Sequence, residues 1–139
     1  MVNKTFLIAF IIIILDRVAK LIFFDNSSLN KGAAFSILPG FNWLFILVAL
    51  IVIVYIFIKR NEVLYQIGMG FLLGGTIGNL IDRIFYDGVI DFISFLSIPK
   101  FNISDVSNII GALLIIYIMN QNDKLAEKIR NRSKSRRKE

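Results

Sequence analysis

Four long apolar runs, separated by short polar segments, leave this chain few ways to fold. An α-helix needs about 20 apolar residues to cross a bilayer, where its backbone polar groups must bond internally. The chain is also 56% hydrophobic, above the roughly 45–50% of ordinary soluble domains. We therefore predict an all-α membrane protein with four transmembrane helices. The runs are residues 6–24, 41–58, 63–81 and 104–119.

The third run carries Gly70, Gly74 and Gly78 at intervals of four, along one face of the predicted helix. Small residues in this pattern let the backbone of another helix approach closely. A flexible hinge is the alternative interpretation. The regular spacing among large apolar residues favours helix packing.

Positive charges near the ends of the runs predict the orientation of the chain. Lys4, the pair Lys59-Arg60 and the tail 123–139 all fall on one side of a four-span arrangement. Because Lys and Arg concentrate in cytoplasmic loops, we expect both termini to be cytoplasmic. Residues 25–40 and 86–103 then form extracytoplasmic loops.

The fourth run is short for a span, ends at the polar segment 120–122, and is followed by a strongly basic tail. Residues 123–139 contain eight Lys or Arg and three Asp or Glu, a net charge of +5. Behind a membrane span such a tail favours binding to anionic lipid, with a nucleic-acid arm as the alternative. We expect residues 1–122 to form the membrane domain and the tail to be cytoplasmic, with membrane lipid and no nucleic acid as its partner.

The chain contains neither cysteine nor histidine. Disulfides, thiol catalysis and Cys-ligated metals are therefore excluded, as are Ser-His-Asp sites and the commonest zinc ligand. Any hydrolytic chemistry must rest on carboxylates, hydroxyls or lysine.

Charged side chains inside apolar runs are costly, so they are functional or paired by default. Asp16 and Lys20 lie four residues apart in the first run, the favourable order for an ion pair on one helix face. We interpret them as a structural pair.

At the end of the third run, Asn79, Asp82 and Arg83 lie on adjoining faces, and Arg83 can bond a carboxylate or a backbone carbonyl. A snorkelling interfacial arginine is the alternative.

Asp91 and Asp105 are each flanked by large apolar residues, which disfavour a charged carboxylate. They lie 14 positions apart with Pro99 between them, so they cannot share a helix. A loop that returns to start the fourth run could bring them together. Two close carboxyl groups share one proton, which is the arrangement that aspartic proteolysis uses. Separate capping or ion-pair roles, such as Asp105 at a helix start, are the alternative.

Five short segments, in order along the chain, resemble motifs of the lipoprotein signal peptidases, the signal peptidase II family of membrane aspartic peptidases. Two departures stand out: Arg17 replaces a usual Gln, and Ser104 replaces a usual Ala. The Ser104 hydroxyl could donate a hydrogen bond to the adjacent Asp105 and so affect the pH optimum. The five segments are Leu15-Asp16-Arg17-Val18-Ala19-Lys20, Asn30-Lys31-Gly32-Ala33-Ala34-Phe35, residues 78–83, Val89-Ile90-Asp91-Phe92 and Phe101-Asn102-Ile103-Ser104-Asp105.

The resemblance implies a bacterial cell-membrane enzyme that removes the signal peptide from diacylglyceryl-modified prolipoproteins, cleaving before the lipidated cysteine. It implies no metal or other cofactor, an active site near the extracytoplasmic face, and a small extracytoplasmic β-structured cradle. It assigns catalysis to Asp91 and Asp105. Substrate-binding or site-ordering roles are implied for Asn30, Gly32, Asn79, Arg83, Asn102, Asp16 and Lys20.

Two other classes of function fit the residues alone. A proton-coupled transporter would use Asp16, Lys20, Asp91 and Asp105 as a relay. Four spans without an inverted repeat are few for a transporter. A non-enzymatic scaffold would instead pack through the glycine face of the third run.

Overall fold

The computed structural model describes residues 3–32 and 40–136, with side chains as far as Asn131. This part of the chain is mostly helical, with two small antiparallel sheets. The helices are α1 (Lys4–Ile22), α2 (Asn42–Lys59), α3 (Gln66–Tyr86) and α4 (Ile103–Arg136). The strands are β1 (Ser28–Asn30), β2 (Val89–Asp91), β3 (Ile93–Phe95) and β4 (Ile98–Phe101).

Three helical segments of the described chain are long and apolar enough to cross a membrane. They are Asn42–Lys59, Val63–Tyr86 and Ile103–Asn131. On α2, bulky apolar side chains such as Trp43 and Val54 are exposed at 62% and 58%. An exposed apolar surface of this extent is expected to face lipid. The prediction of a helical membrane protein is confirmed.

Glycines allow α3 to pack closely against α1. A methyl group at Gly70 would lie 2.8 Å from Cβ of Ile8, and one at Gly74 would lie 2.8 Å from Cβ of Ile12. Both distances are below normal contact, so larger residues would push the helices apart. The packing interpretation of this face is therefore confirmed. The face is occupied within the molecule, which removes the basis for a scaffold that binds through it.

A second set of glycines, which the sequence analysis missed, brings α3 and α4 together. A methyl group at Gly68 would lie 2.8 Å from Cγ1 of Ile115, and one at Gly111 would lie 2.6 Å from the backbone nitrogen of Leu72. Because α3 is in close contact with both α1 and α4, side chains from three helices converge near its C-terminal end.

The two sheets order the segments before α4. Strand β1 pairs with β2, with Ser28 opposite Asp91 and Asn30 opposite Val89. Strand β3 pairs with β4 across an irregular register. These strands form within the predicted loops 25–40 and 86–103, in agreement with the small β-structure that the resemblance implied.

Helix α4 is much longer than the apolar run 104–119 that predicted it, because it continues through the polar segment 120–122 to Arg136. Residues 124–128 are Lys-Leu-Ala-Glu-Lys, all good helix formers. Their backbone can therefore stay helical beyond the apolar segment. The expectation of a barely sufficient fourth span is corrected accordingly.

Candidate active site

Asp91 and Asp105 come from different elements and line the same cavity, which has a volume of about 540 Å³. Asp91 is the last residue of β2, and Asp105 lies in the first turn of α4. The connecting hairpin β3–β4 brings the chain back to the start of α4. The structure thus brings together the two acids that sequence spacing could only suggest.

Asn102 contacts both acids. Its Nδ2 donates to Oδ1 of Asp91 at 2.7 Å, and its backbone nitrogen donates to Oδ2 of Asp105 at 3.1 Å. The Asp105 backbone nitrogen in turn donates to Oδ1 of Asn102 at 2.9 Å. This reciprocal pair is a capping box at the start of α4. Asp105 therefore has the capping role considered as an alternative and also faces the cavity with Asp91.

Every carboxylate oxygen of the two acids accepts a hydrogen bond from an amide. Besides the bonds from Asn102, Nδ2 of Asn30 donates to Oδ2 of Asp91 at 3.1 Å. Nδ2 of Asn79 donates to Oδ1 of Asp105 at 2.8 Å. Among residues 3–32 and 40–131, no Lys or Arg forms an ion pair with either acid. We call Asp91, Asp105 and their amide donors the acid pair.

Burial raises the pKa of Asp91 to about 6, and the negative charge of Asp105 acts in the same direction. Hydrogen bonds from Asn30 and Asn102 oppose this change. The Asp91 residue is only 2% exposed. A carboxyl group held this way keeps its proton to much higher pH than an exposed aspartate does.

A second group of charged residues, the charge cluster, lies between α1 and α3 and consists of Asp16, Arg17, Lys20 and Asp82. Lys20 Nζ lies 2.8 Å from Asp16 Oδ2 and 2.7 Å from Asp82 Oδ2. Arg17 reaches the same two carboxylates, at 2.9 Å and 2.7 Å. The predicted pair of Asp16 and Lys20 is therefore half of a cluster with two negative and two positive charges.

The charge cluster also holds the backbone beside each acid. Asp82 Oδ2 accepts a hydrogen bond from the nitrogen of Ile90, next to Asp91, at 3.0 Å. Asp16 Oδ1 accepts one from the nitrogen of Ser104, next to Asp105, at 3.0 Å. Both carboxylates of the cluster are fully buried. They therefore fix the two segments from which the acid pair projects.

Arg83 fastens the segment that carries Asn30. Its Nη2 donates to the carbonyl of Gly32 at 2.8 Å, and its Nη1 donates to Oδ1 of Asn42 at 3.1 Å. The Gly32 nitrogen donates back to Oδ1 of Asn30 at 3.0 Å. Of the two interpretations offered for Arg83, the geometry matches the one that binds a backbone carbonyl. The remaining motif residues, 33–35, lie outside the described residues.

The Ser104 hydroxyl does not act as the sequence analysis expected. Its Oγ is buried and has no hydrogen-bond partner within the described chain. It lies against Gly78, where a Cβ atom would clash with it. The side chain fills the gap between α3 and α4, so the expected bond from Ser104 to Asp105 is wrong.

Sequence reasoning left three contributing residues without a role. Asp82 completes the charge cluster, Asn42 supports Arg83, and Asn108 lines the cavity one turn beyond Asp105. The signal for Asn108 was present, because a polar side chain within an apolar span is functional or paired by default. That Asn108 lines the cavity could be seen only from the folded structure.

Within residues 3–32 and 40–131, no group of three or more acidic side chains is arranged to hold a metal ion. The helical membrane fold and the two aspartates in one cavity are the features expected of the class of membrane aspartic peptidases.

Comparison with known proteins identifies the family. The family model described as signal peptidase (SPase) II matches residues 8–121. The lipoprotein signal peptidase of Halothermothrix orenii is 33% identical over 88% of this chain and 99% of its own length. That of Geobacillus thermodenitrificans is 42% identical over 70% of this chain and 67% of its own length. The chain belongs to the signal peptidase II family and is a membrane aspartic peptidase.

Solved structures agree with the family assignment. A bacterial membrane enzyme determined by the in meso method at 2.3 Å resolution is 31% identical to this chain and superposes with a TM-score of 0.79. The match covers 88% of this chain and 91% of that one. A second enzyme, determined at 1.9 Å, is 32% identical and gives 0.72 over 86% and 94%. The transporter alternative is set aside.

Proposed function

We propose that this protein removes the signal peptide from diacylglyceryl-modified prolipoproteins, cleaving before the lipidated cysteine, with Asp91 and Asp105 as its catalytic residues. The observation that carries this proposal is the acid pair itself. A buried and a half-buried carboxylate line one cavity, and amides alone bond their oxygens among the described residues. No cation is bonded to either acid among the described residues. Ionising both acids is therefore costly, and they hold one proton between them.

The chemistry follows from that shared proton. The ionised acid takes a proton from a water molecule whose oxygen attacks the scissile carbonyl carbon. The protonated acid donates a hydrogen bond to the carbonyl oxygen and then its proton, which gives a neutral diol. When the diol collapses, the acid that took the proton from water gives it to the leaving nitrogen as the C–N bond breaks. The other acid takes a proton from a diol hydroxyl, so the pair holds one proton throughout and returns to its starting state.

Amide donors suit this cycle because they orient the carboxylates without fixing their charge. A lysine or arginine bonded to Asp91 would hold it ionised and prevent it from carrying the proton. Asn102 touches both acids, so it keeps their separation constant while the proton moves. Asn30 and Asn79 hold the outer oxygens, and Arg83 and Gly32 order the segment that carries Asn30.

We propose that the molecule crosses the membrane four times. Helix α1 forms a span in addition to the three apolar segments described above. Helix α1 has 19 residues, and the charges of Asp16 and Lys20 are buried against α3 and not exposed to lipid. Residues 1–122 form the membrane domain and residues 123–139 a basic cytoplasmic tail that binds anionic lipid. Both termini are cytoplasmic in a bacterial membrane, which puts the acid pair near the extracytoplasmic face, where a substrate anchored by acyl chains is held.

The direct test is to incubate the purified protein in detergent with a diacylated precursor and with the same precursor lacking lipid. We expect only the lipidated precursor to be shortened. The variants Asp91→Asn and Asp105→Asn should remain folded and lose at least about 10³-fold in kcat, as expected when a residue of the proton-transfer machinery is removed.

A matched control is Asp87→Asn, which changes an exposed aspartate in the turn before β2. Asp87 has a φ of 54°, a left-handed conformation that asparagine also adopts readily. This variant should cleave as the unmodified protein does. Retained cleavage by either acid-pair variant would contradict the assignment of the catalytic residues.

A further inference from the structure

Asn108 is a polar side chain in the cavity whose presence the acid pair does not explain. It lies three residues after Asp105 on α4, which places it on nearly the same helix face and about 4.5 Å further along the axis. It lines the cavity together with both acids. The segment Ile103–Asn131 is apolar enough to span a membrane, so Asn108 lies one turn deeper in that span than Asp105.

Two features of α3 hold the Asn108 carboxamide in a defined orientation. Thr76 Oγ1 donates to its Oδ1 at 3.3 Å. Gly75 leaves room for it, because a Cβ atom there would lie 2.5 Å from Oδ1 and 2.8 Å from Cγ. With the oxygen bonded to α3, the Nδ2 group is left as the donor. Among the described residues, Nδ2 forms no hydrogen bond.

An amide donor at this depth has a specific use for the substrate. Under the proposed function, the part of the signal peptide within the bilayer has to be helical to bond its backbone internally, and that helix ends where the chain reaches the acids. The last four carbonyls of a helix have no partner within it. In hydrocarbon each such carbonyl costs several kcal/mol unless something bonds to it.

We propose that Asn108 is a substrate-binding residue whose Nδ2 donates a hydrogen bond to a backbone carbonyl of the signal peptide, one turn deeper in the membrane than the scissile bond. This inference depends on the proposed function and extends it to the peptide that is removed. The bond is made in the ground state and in the transition state alike. Its loss should therefore raise KM and leave kcat nearly unchanged.

The experiment measures binding apart from cleavage. In an Asp91→Asn background, the affinity for a diacylated precursor peptide is compared with and without Asn108→Leu. We expect about a three- to tenfold weaker Kd from the loss of one hydrogen bond. In the cleaving enzyme, Asn108→Leu should raise KM by the same factor with kcat changed less than about twofold. Asn108→Ala is a second variant if leucine perturbs packing.

Asn122→Leu is the matched control. Asn122 lies on the same helix, outside the cavity, and donates to the Tyr65 hydroxyl at 3.2 Å. Its replacement should leave Kd and KM unchanged. Thr76→Val frees the Asn108 carboxamide and should weaken binding by a smaller factor. It should add nothing in the Asn108→Leu background, because the two residues act as a unit.

The ester carbonyls of the diacylglyceryl group are the other acceptors near this depth. A precursor carrying a dialkyl ether in place of the two esters lacks these carbonyls. The penalty of Asn108→Leu should persist with this substrate, and its disappearance would overturn the peptide assignment. Unchanged Kd and KM in both Asn108 variants would overturn the inference while cleavage itself continues. Absence of cleavage by the unmodified protein would instead contradict the proposed function.

Discussion

The charge cluster and the acid pair each contain two aspartates close to the same end of α3, yet their surroundings differ. In the charge cluster, Asp16 and Asp82 each lie within 2.9 Å of both a lysine and an arginine nitrogen. In the acid pair, only amides bond the carboxylates among the described residues. Two carboxylates with two cations form a group whose charges balance. Two close carboxylates with no cation bonded to them favour holding one proton between them.

The difference indicates a structural role for the charge cluster and a chemical role for the acid pair. Neutralised charges at low dielectric resist separation, so the cluster is suited to locking α1, α3 and the segments around Ile90 and Ser104 together. In the acid pair no cation is bonded to either carboxylate among the described residues, which favours a proton that can be transferred. The comparison predicts that substitutions in the acid pair will act mainly on rate and those in the charge cluster mainly on stability. It also predicts that Asp91→Asn and Asp82→Asn will change stability with opposite signs.

The largest effect should come from Lys20→Met, which leaves two buried carboxylates with one cation between them. Removing one partner from a buried ion pair costs about 3–5 kcal/mol. We expect a loss of this size in the free energy of unfolding, measured in detergent, with kcat of the surviving folded fraction changed much less. A variant of normal stability that fails to turn over would move Lys20 from the supporting group into the site.

Substitutions in the acid pair should change kcat much more than they change the free energy of unfolding. Asn102→Ala removes the side chain that bonds Asp91 and caps α4. We expect kcat to fall by about 10²-fold, because misplacement of reacting groups by an ångström costs that much, while stability falls by about 1 kcal/mol for the lost cap. Equal losses of kcat in Asn102→Ala and Lys20→Met would erase the distinction between the two groups.

The pH dependence of kcat/KM gives a third test. Since burial and the charge of Asp105 raise the pKa of Asp91 to about 6, the free enzyme keeps the shared proton below that pH and loses it above. We expect kcat/KM to fall about tenfold per pH unit on the alkaline side. A substrate that seals the cavity deepens the burial, so the corresponding limb of kcat should lie at higher pH. A kcat/KM that stays flat from pH 5 to 9 would contradict a single shared proton.

Arg17→Gln restores the residue that the family usually has at this position. In this chain it removes one of four charges from the cluster and a hydrogen bond to the Gly78 carbonyl. The Arg17 side chain is 24% exposed, so water partly screens its ion pairs. We expect a loss of about 1–2 kcal/mol in stability, read from thermal unfolding, with KM and kcat within about twofold. Arg17→Lys, which keeps the charge, should recover part of it.

What could be predicted from the sequence follows the range of the interactions involved. The ion pair of Asp16 and Lys20 follows from helix periodicity, and the glycine face of α3 follows from a spacing of four residues. Both could therefore be predicted from the sequence. The bonds from Lys20 and Arg17 to Asp82 cross from α1 to α3 and depend on how closely Gly70 and Gly74 let the helices approach. The distance between α1 and α3 cannot be predicted from the spacing of residues along the chain.

The same reasoning explains the errors. Ser104 was expected to bond its neighbour Asp105 because adjacency in sequence was the only information available. Helix geometry points the two side chains to different faces, and the hydroxyl meets Gly78 instead. For Asp105, proximity to a helix start correctly suggested a cap. The capping box and the cavity use the same carboxylate, so the capping and catalytic interpretations were never exclusive.

The smallest expected effect is also the sharpest test of the comparison, because it has the opposite sign. The raised pKa of Asp91 means that protonation favours folding. This contribution is complete below the ordinary value of 3.8 and is lost as the pH rises through about 6. At pH 7 the ionised carboxylate therefore opposes folding, and Asp91→Asn should raise stability by about 1 kcal/mol, a few degrees in Tm. The gain should vanish near pH 4, where the carboxyl group is already neutral.

Asp82→Asn, the matched change in the charge cluster, should lower Tm at both pH values, since its carboxylate is paired with two cations. If both variants shift Tm in the same direction at pH 7, then the acid pair is stabilised by its ionised form, and the physical basis for a shared proton is lost.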